Sequence, residues 1–287
     1  MRRGDWSAAW AVNDEVLARR DTPPDDPRLP YHRRHVWDGR PFYGRPVLVR
    51  CYHGLGDTLQ FLRYLSPLRA RAASVTLETQ AALIPLLRGH QPIAFDPAAP
   101  SPPSACDIEI MELGHALRLP PDAVPPPYLA PPPIAGGGRK EGARPLIGLC
   151  AQAGDWDRER SIPLPLLAGA LPPGTRPVRL QPDGADALPW ANPGPLGDLA
   201  ETAALVCSVD LVITVDTMIA HLAGALGRPA WVVLKANADW RWMEGHSTAW
   251  YPSLRLYRQH RPGDWSAPLA AIRRDLVASP PAGARAG

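Results

Sequence analysis

Short, continuous apolar runs alternate along this chain with stretches whose apolar positions recur every three or four residues, the pattern of buried strands interleaved with amphipathic helices. Residues 47–51 read as a first core strand. The turn Gly54-Leu55-Gly56 then opens a helix that keeps Leu59, Leu62, Leu65 and Leu68 near one face. Residues 74–78 give a second strand, 81–87 a helix and 106–111 a further strand, so the first half alternates as a parallel α/β domain does. From 120 to 145 the chain is rich in proline and glycine and reads as a linker. The second half runs strand 146–150, a polar loop through Arg160, helix 164–170, strand 178–181, helix 199–207, strand 210–214 and strand 230–234, with a closing helix over 266–277.

The clearest junction is Val209 to Pro229, where an apolar run ends in Thr214-Val215-Asp216-Thr217 and helical spacing begins at Ile219, Leu222, Ala223 and Leu226. Strand, tight turn and helix follow one another there. Thr217 and His221 stand four residues apart, on a face turned away from the Ile219, Leu222 and Leu226 stripe. The free N–H groups of residues such as Met218 and Ile219, with the positive end of the helix dipole, suit a phosphate or pyrophosphate. His221 can add a donor; the alternative is that Asp216 only caps the helix and His221 is a surface residue.

Composition narrows the function classes. The 287 residues suffice for two domains, each with its own core. A net charge of +3 is compatible with an anionic nucleotide, while the arginines are scattered and form no nucleic-acid reader motif. Cys51, Cys106, Cys150 and Cys207 are widely spaced, lack any Cys-x-x-Cys pair and read as small buried hydrophobes rather than metal ligands or disulfide partners. No signal peptide or membrane-length apolar run is evident, so a cytoplasmic location is expected.

Val215-Asp216-Thr217, Ala220-His221-Leu222-Ala223-Gly224-Ala225-Leu226-Gly227 and Pro229, followed by Asp239-Trp240-Arg241-Trp242 and Trp250-Tyr251-Pro252-Ser253-Leu254-Arg255-Leu256, resemble glycosyltransferase family 9, the ADP-heptose:lipopolysaccharide heptosyltransferases. Within it the likeness is nearest to bacterial members fused to tetratricopeptide repeats. The segments 53–65, 157–164 and 178–181 agree, and the resemblance covers about Trp37 to Gln259 in the expected order. It implies an α/β chain of GT-B architecture, with two Rossmann-like domains facing a central cleft. The expected division is a helical remnant and proline-rich segment at 1–36, an acceptor domain at 37–119, a linker at 120–144, a nucleotide-sugar domain at 145–265, and a helix and tail at 266–287. Such a closing helix commonly crosses back onto the first domain.

The implied chemistry is inverting transfer of a sugar, heptose in the family, from a nucleotide diphosphate donor such as ADP-heptose to a hydroxyl of a lipopolysaccharide core or other surface glycan. No metal and no cofactor beyond that co-substrate is expected, and contact with the inner membrane would be peripheral. The alternative is a catalytically silent nucleotide-sugar-binding or interaction module, suggested by Met218, where relatives carry a small residue, and by a 150–154 loop without the group's Trp-x-Gly-Asn.

Transfer needs a base for the acceptor hydroxyl and donors for the departing diphosphate. The resemblance puts the base at Asp57; with Gln60 three residues on, Asp57 equally reads as a helix cap. Gly54 and Gly56 permit positive φ and close backbone approach to a ligand. Arg160 and Ser161 match the family's basic segment near the donor phosphates, with a solvated loop as the alternative for Arg160. Lys235 ends a strand at the same edge. Trp240, Trp242, Trp250 and Tyr251 either border the ligand or pack a loop against the core.

Overall fold

The computed structural model describes residues 1–20, 26, 29–30, 36–99, 101, 106–130, 144–181 and 197–281. The tail from 282, linker residues 131–143 and most of the proline-rich stretch 21–35 lie outside the described residues.

Two parallel sheets carry the chain. In the first, β1 (Pro46–Arg50), β2 (Ser74–Thr79), β3 (Ile93–Ala94) and β4 (Asp107–Glu109) lie in the order β3-β2-β1-β4. In the second, β5 (Leu146–Cys150), β6 (Arg176–Arg179), β7 (Leu211–Val215), β8 (Ala230–Leu234) and β9 (Leu254–Arg258) lie in the order β6-β5-β7-β8-β9. Each order reverses beside its first strand, between β1 and β4 and between β5 and β7. In open α/β sheets the carboxyl edge at such a reversal is where ligands bind.

β7 is buried along its whole length, as a central parallel strand must be, and its side chains feed two cores by strict alternation. Leu211, Ile213 and Val215 join Ile147, Leu149 and Val233 on one face. Val212 faces the other way, into a core that also holds Val49, Leu59, Leu65 and Ile108 of the first half. One hydrophobic core therefore runs through both halves.

Its centre is the contact between α2 (Leu55–Phe61) and α7 (Met218–Ala225). A Cβ on Gly56 would stand 2.8 Å from His221 Cδ2 and 3.5 Å from Met218 Cα, and one on Gly224 would stand 2.3 Å from Tyr251 Cδ1. Gly56 is there for close helix approach, and Gly224 makes room for the Tyr251 ring. Gly54 has φ −72°, so the expected positive φ is not used.

His221 corrects the expectation of an exposed helix face. It is 5% exposed, its Nδ1 lies 3.1 Å from the Tyr251 hydroxyl, and its ring stacks on Trp242 with centroids 5.2 Å apart. The face turned away from its own sheet is covered by α2. Burial, reinforced by the charges of Arg241, Arg63 and Arg160, depresses its pKa to about 3, so the ring is neutral at physiological pH.

Arg63, 1% exposed, clamps the same interface. It donates to the carbonyl oxygens of Pro121 (2.9 Å), Trp250 (2.7 Å) and Val124 (3.3 Å) and to the Tyr128 hydroxyl (3.3 Å). The start of the expected linker is therefore packed: Tyr128 and Leu129 donate their N–H groups to the Ala225 carbonyl at the end of α7.

Other boundaries differ from expectation. Residues 81–87 form a 3-10 turn (Ala81–Leu83) and further turns, because Pro85 would clash within a helix. The strand expected at 106–111 is confined to Asp107–Glu109, and β6 begins at Arg176. α8 (Ser266–Ala278) does not cross to the first sheet; Leu269, Ile272 and Leu276 pack with Ile147, Ile213 and Tyr257 of the second. The N-terminal helix α1 (Trp6–Ala18) is tied to both halves, with Trp6 edge-on to Trp250 at 5.7 Å and Asp14 accepting from His115 Nε2 at 2.8 Å.

Two outcomes follow. Arg63→Met should lower unfolding free energy by at least about 3 kcal/mol, since each buried carbonyl left bare costs about 1–3 kcal/mol; a shift in the urea midpoint corresponding to less than about 1 kcal/mol would contradict the clamp. Between pH 6.5 and about 3 the unfolded chain binds a proton that folded His221 refuses, so stability falls as pH drops through this window. Urea titrations across that range should show a shallower slope in His221→Gln, and an unchanged slope would place the acid sensitivity elsewhere.

Candidate functional site

The N-terminal ends of α2 and α7 meet at a pocket of about 250 Å³ on the carboxyl edges of both sheets. Gly54, Gly56 and Asp57 line it from the first half; Arg160, Asp216, Thr217, Met218 and His221 line it from the second. Most residues singled out from the sequence, scattered over 160 positions of chain, are thus brought to one cavity.

Asp57 occupies the third position of α2, not its cap, because the helix begins one turn earlier than the cap reading requires. Its Oδ2 accepts from the N–H of Gly54, the capping residue, at 3.0 Å. Its Oδ1 accepts from Arg241 Nη2 at 2.6 Å. The side chain therefore holds the helix start and also faces a cation from the other half, and each carboxylate oxygen retains a further lone pair for a proton.

Arg241 is the residue the sequence reading missed, although it lies inside a quoted motif. Asp239, at the start of a short 3-10 turn (Trp240–Trp242) after β8, accepts from the Arg241 backbone N–H at 2.9 Å and from its Nη1 at 2.8 Å. Burial disfavours the guanidinium's charge, but Asp57 and Asp239 more than offset this and raise its pKa. Its link to Asp57 spans 184 positions, so no local spacing signals it.

Arg160 reaches the pocket from the loop after β5. It is 7% exposed and donates from Nη1 to the Asp216 carbonyl at 2.9 Å, which rules out the solvated-loop alternative. Trp156, 78% exposed at the pocket mouth, lies over the Arg160 guanidinium at 4.3 Å and was also not anticipated. Asp216 is buried; burial raises its pKa, opposed by the Trp242 indole and by Arg160. Thr217, not Asp216, is the capping residue of α7, and it makes no side-chain cap bond, which leaves the first N–H groups of the helix facing the pocket.

The other sequence candidates stand elsewhere. Ile219 is a buried core residue and does not line the pocket. Ser161 does not line the pocket: its hydroxyl accepts from the Ala153 N–H at 3.0 Å and braces the loop. Lys235 pairs with Asp157 at 2.8 Å and Glu159 at 3.2 Å, again holding that loop. Trp242, Trp250 and Tyr251 are buried packing residues. All four cysteines are buried free thiols, and among the described residues no group of three His, Cys, Asp or Glu side chains is placed to hold a metal ion.

No family model matches the chain. It is 32% identical over 102 residues to Protein FlbA of Caulobacter vibrioides, a match covering 34% of this chain and 16% of that one. Among solved structures it resembles the iron-containing dodecameric glycosyltransferase TibC of enterotoxigenic E. coli H10407, with TM-score 0.55 and 16% identity over 77% of this chain and 65% of TibC. It also resembles the ADP-heptose lipopolysaccharide heptosyltransferase II of E. coli (TM-score 0.54, 14% identity, 81% and 98% covered) and the family 9 glycosyltransferase of Veillonella parvula (0.53, 11%, 83% and 97%). The chain thus spans less than two thirds of FlbA and of TibC but nearly the whole of the other two. Its two parallel sheets form the GT-B fold that these heptosyltransferases and family 9 glycosyltransferases share.

Proposed function

We propose that this chain is an inverting glycosyltransferase that moves a sugar, heptose by likeness to its structural neighbours, from a nucleotide diphosphate to a hydroxyl of a lipopolysaccharide core or another surface glycan. The observation that carries the reading is the pairing of Asp57 with Arg241 across the two halves, at 2.6 Å, in a pocket that also holds Arg160 and the α7 N-terminus. A carboxylate and a set of phosphate-binding donors within one cavity are what the reaction requires.

In this reading the donor diphosphate sits against the N–H groups of Met218 and Ile219, with Arg160 and Arg241 as its charged partners. Met218 is tolerated because its backbone does the binding. The acceptor oxygen attacks the anomeric carbon, the bond from that carbon to the diphosphate breaks with its electron pair leaving on phosphate, and Asp57 takes the hydroxyl proton. Neutral His221 supports the helix start rather than acting as an acid. The exposed ring of Trp156 is a platform for the nucleotide at the pocket mouth. A cytoplasmic enzyme, peripheral at the inner membrane and related to the repeat-fused members, completes the proposal. It is supported by the residues quoted above; no helix among the described residues is long and apolar enough to cross a membrane.

ADP, UDP and GDP should be compared by thermal unfolding. A ligand at one hundred times its Kd stabilises the native state by about 2.7 kcal/mol, and one of the three should do so selectively. Arg241→Met should weaken that nucleotide at least tenfold; indifference of the folded protein to all three would remove the donor site. Asp57→Asn preserves the helix cap and should lower turnover by about 10²- to 10⁴-fold while leaving nucleotide affinity within about threefold, the range attributable to a general base. Wild-type turnover in that variant would exclude Asp57 as the base, and nucleotide binding by the wild type without transfer to any acceptor would favour the silent-module alternative.

A further inference from the structure

At the reversal point of the first sheet, β4 ends in Glu109, a carboxyl that the reaction above leaves without a task. It is 3% exposed. Its Oε2 accepts from the Met111 N–H at 2.7 Å, the Tyr52 backbone N–H also favours its charged form, and its Oε1 is buried without a well-formed hydrogen bond. A buried acceptor without a well-formed bond costs about 1–3 kcal/mol, a cost that a ligand hydroxyl on Glu109 would offset.

Glu109 lines a cavity of about 240 Å³, separate from the donor pocket. His53, immediately before the glycine turn, forms part of its wall, and α1 roofs it through Asn13. Arg20, just beyond α1, also lines the cavity. It fastens the roof by donating to the Trp37 carbonyl at 3.1 Å and to Glu112 Oε1 at 3.0 Å. Met111 connects the two sites: it lines this cavity, and its sulfur lies 3.9 Å from the Arg241 Nη2 that holds Asp57.

The chemistry of the walls selects the ligand. Arg20 is neutralised by Glu112, so the cavity offers an anion no unpaired guanidinium. Burial pushes the Glu109 carboxyl up to about 8, so at neutral pH it is mostly an uncharged acid that both donates and accepts. Next to this polar end is an apolar chamber of about 140 Å³ walled by Trp6, Trp10, Trp240 and Trp250, which shares Asn13 and Met111 with the first. A polar rim beside an aromatic wall suits a neutral sugar ring, with hydroxyls at its edge and C–H groups on its face.

The geometry points to this cavity as the acceptor seat: a neutral pyranose lies beneath α1 with one hydroxyl on Glu109 and another turned toward Asp57. The assignment rests on the glycosyltransferase reading and names the acceptor class and the residues that select it.

Methyl glucoside, methyl galactoside and methyl mannoside can be titrated into the full chain saturated with ADP, and followed by saturation-transfer NMR. At least one should bind in the millimolar range. Glu109→Leu should weaken it tenfold or more, Glu109→Gln, which keeps a donor and an acceptor, should hold it within about threefold, and Asn13→Trp, which fills the cavity from the roof, should abolish it. All three variants should bind ADP as the wild type does, which separates a lost acceptor seat from a lost fold. ADP binding without any pyranoside binding, or pyranoside binding that survives both Glu109→Leu and Asn13→Trp, overturns the assignment alone; failure of the wild type to bind ADP overturns the glycosyltransferase reading and the assignment together.

Discussion

The close approach of α2 to α7 at Gly56 and His221 is the constraint on which the rest of the molecule depends. Each helix begins at the carboxyl edge of its own sheet, so packing the two together brings both edges to one place. A side chain at position 56 would push the halves apart where His221 now fits. The residues that surround this contact, Trp242, Tyr251 and Arg63, are all essentially buried, and they make the interface a continuation of the core. The pocket therefore lies between two parts of one packed body rather than between two hinged bodies.

Charge at the pocket follows from that packing. Arg241 is shared by Asp57 from one half and Asp239 from the other, and Arg160 leans on the Asp216 carbonyl. Every cation lining the pocket thus has an oxygen partner already, so an entering diphosphate competes for guanidiniums that are satisfied. That competition has a useful direction. In the proposed reaction, a phosphate that draws on Arg241 would leave the Asp57 oxygen it holds freer for the acceptor hydroxyl.

What the sequence reveals depends on how local the controlling interaction is. β5, β7 and β8 are legible as continuous apolar runs because both faces of a central parallel strand are buried. β9 escapes notice because Leu254, Leu256 and Tyr257 are interrupted by exposed Arg255 at the sheet edge. The face of α7 bearing Thr217 and His221 is separated from the helix's own core stripe, yet the alternative that leaves His221 at the surface fails, since the element that covers it is encoded 160 positions earlier. Arg241 and Glu109 fail for the same reason. Nothing near Arg241 in the chain reveals Asp57, and nothing around Glu109 reveals a roof made by α1. Ser161 fails differently: it lies beside Arg160 in sequence, but Arg160 ends a 3-10 turn while Ser161 leaves it extended, with its hydroxyl held by the Ala153 N–H.

The position of α1 gives the N-terminal segment more consequence than its weak amphipathicity suggests. None of its side chains is buried, so it holds to the body through a few specific contacts rather than a broad apolar face. Those contacts are divided: Trp6 against Trp250 of the second half, Asp14 with His115 of the first, and Arg20 just beyond the helix onto Glu112. A helix fastened at separate points over two cavities can detach without disturbing either core, since local opening is least costly where little apolar surface is buried. The space beneath it is closed by a handful of polar and ring contacts, while the pocket framed by α2 and α7 belongs to the packed core.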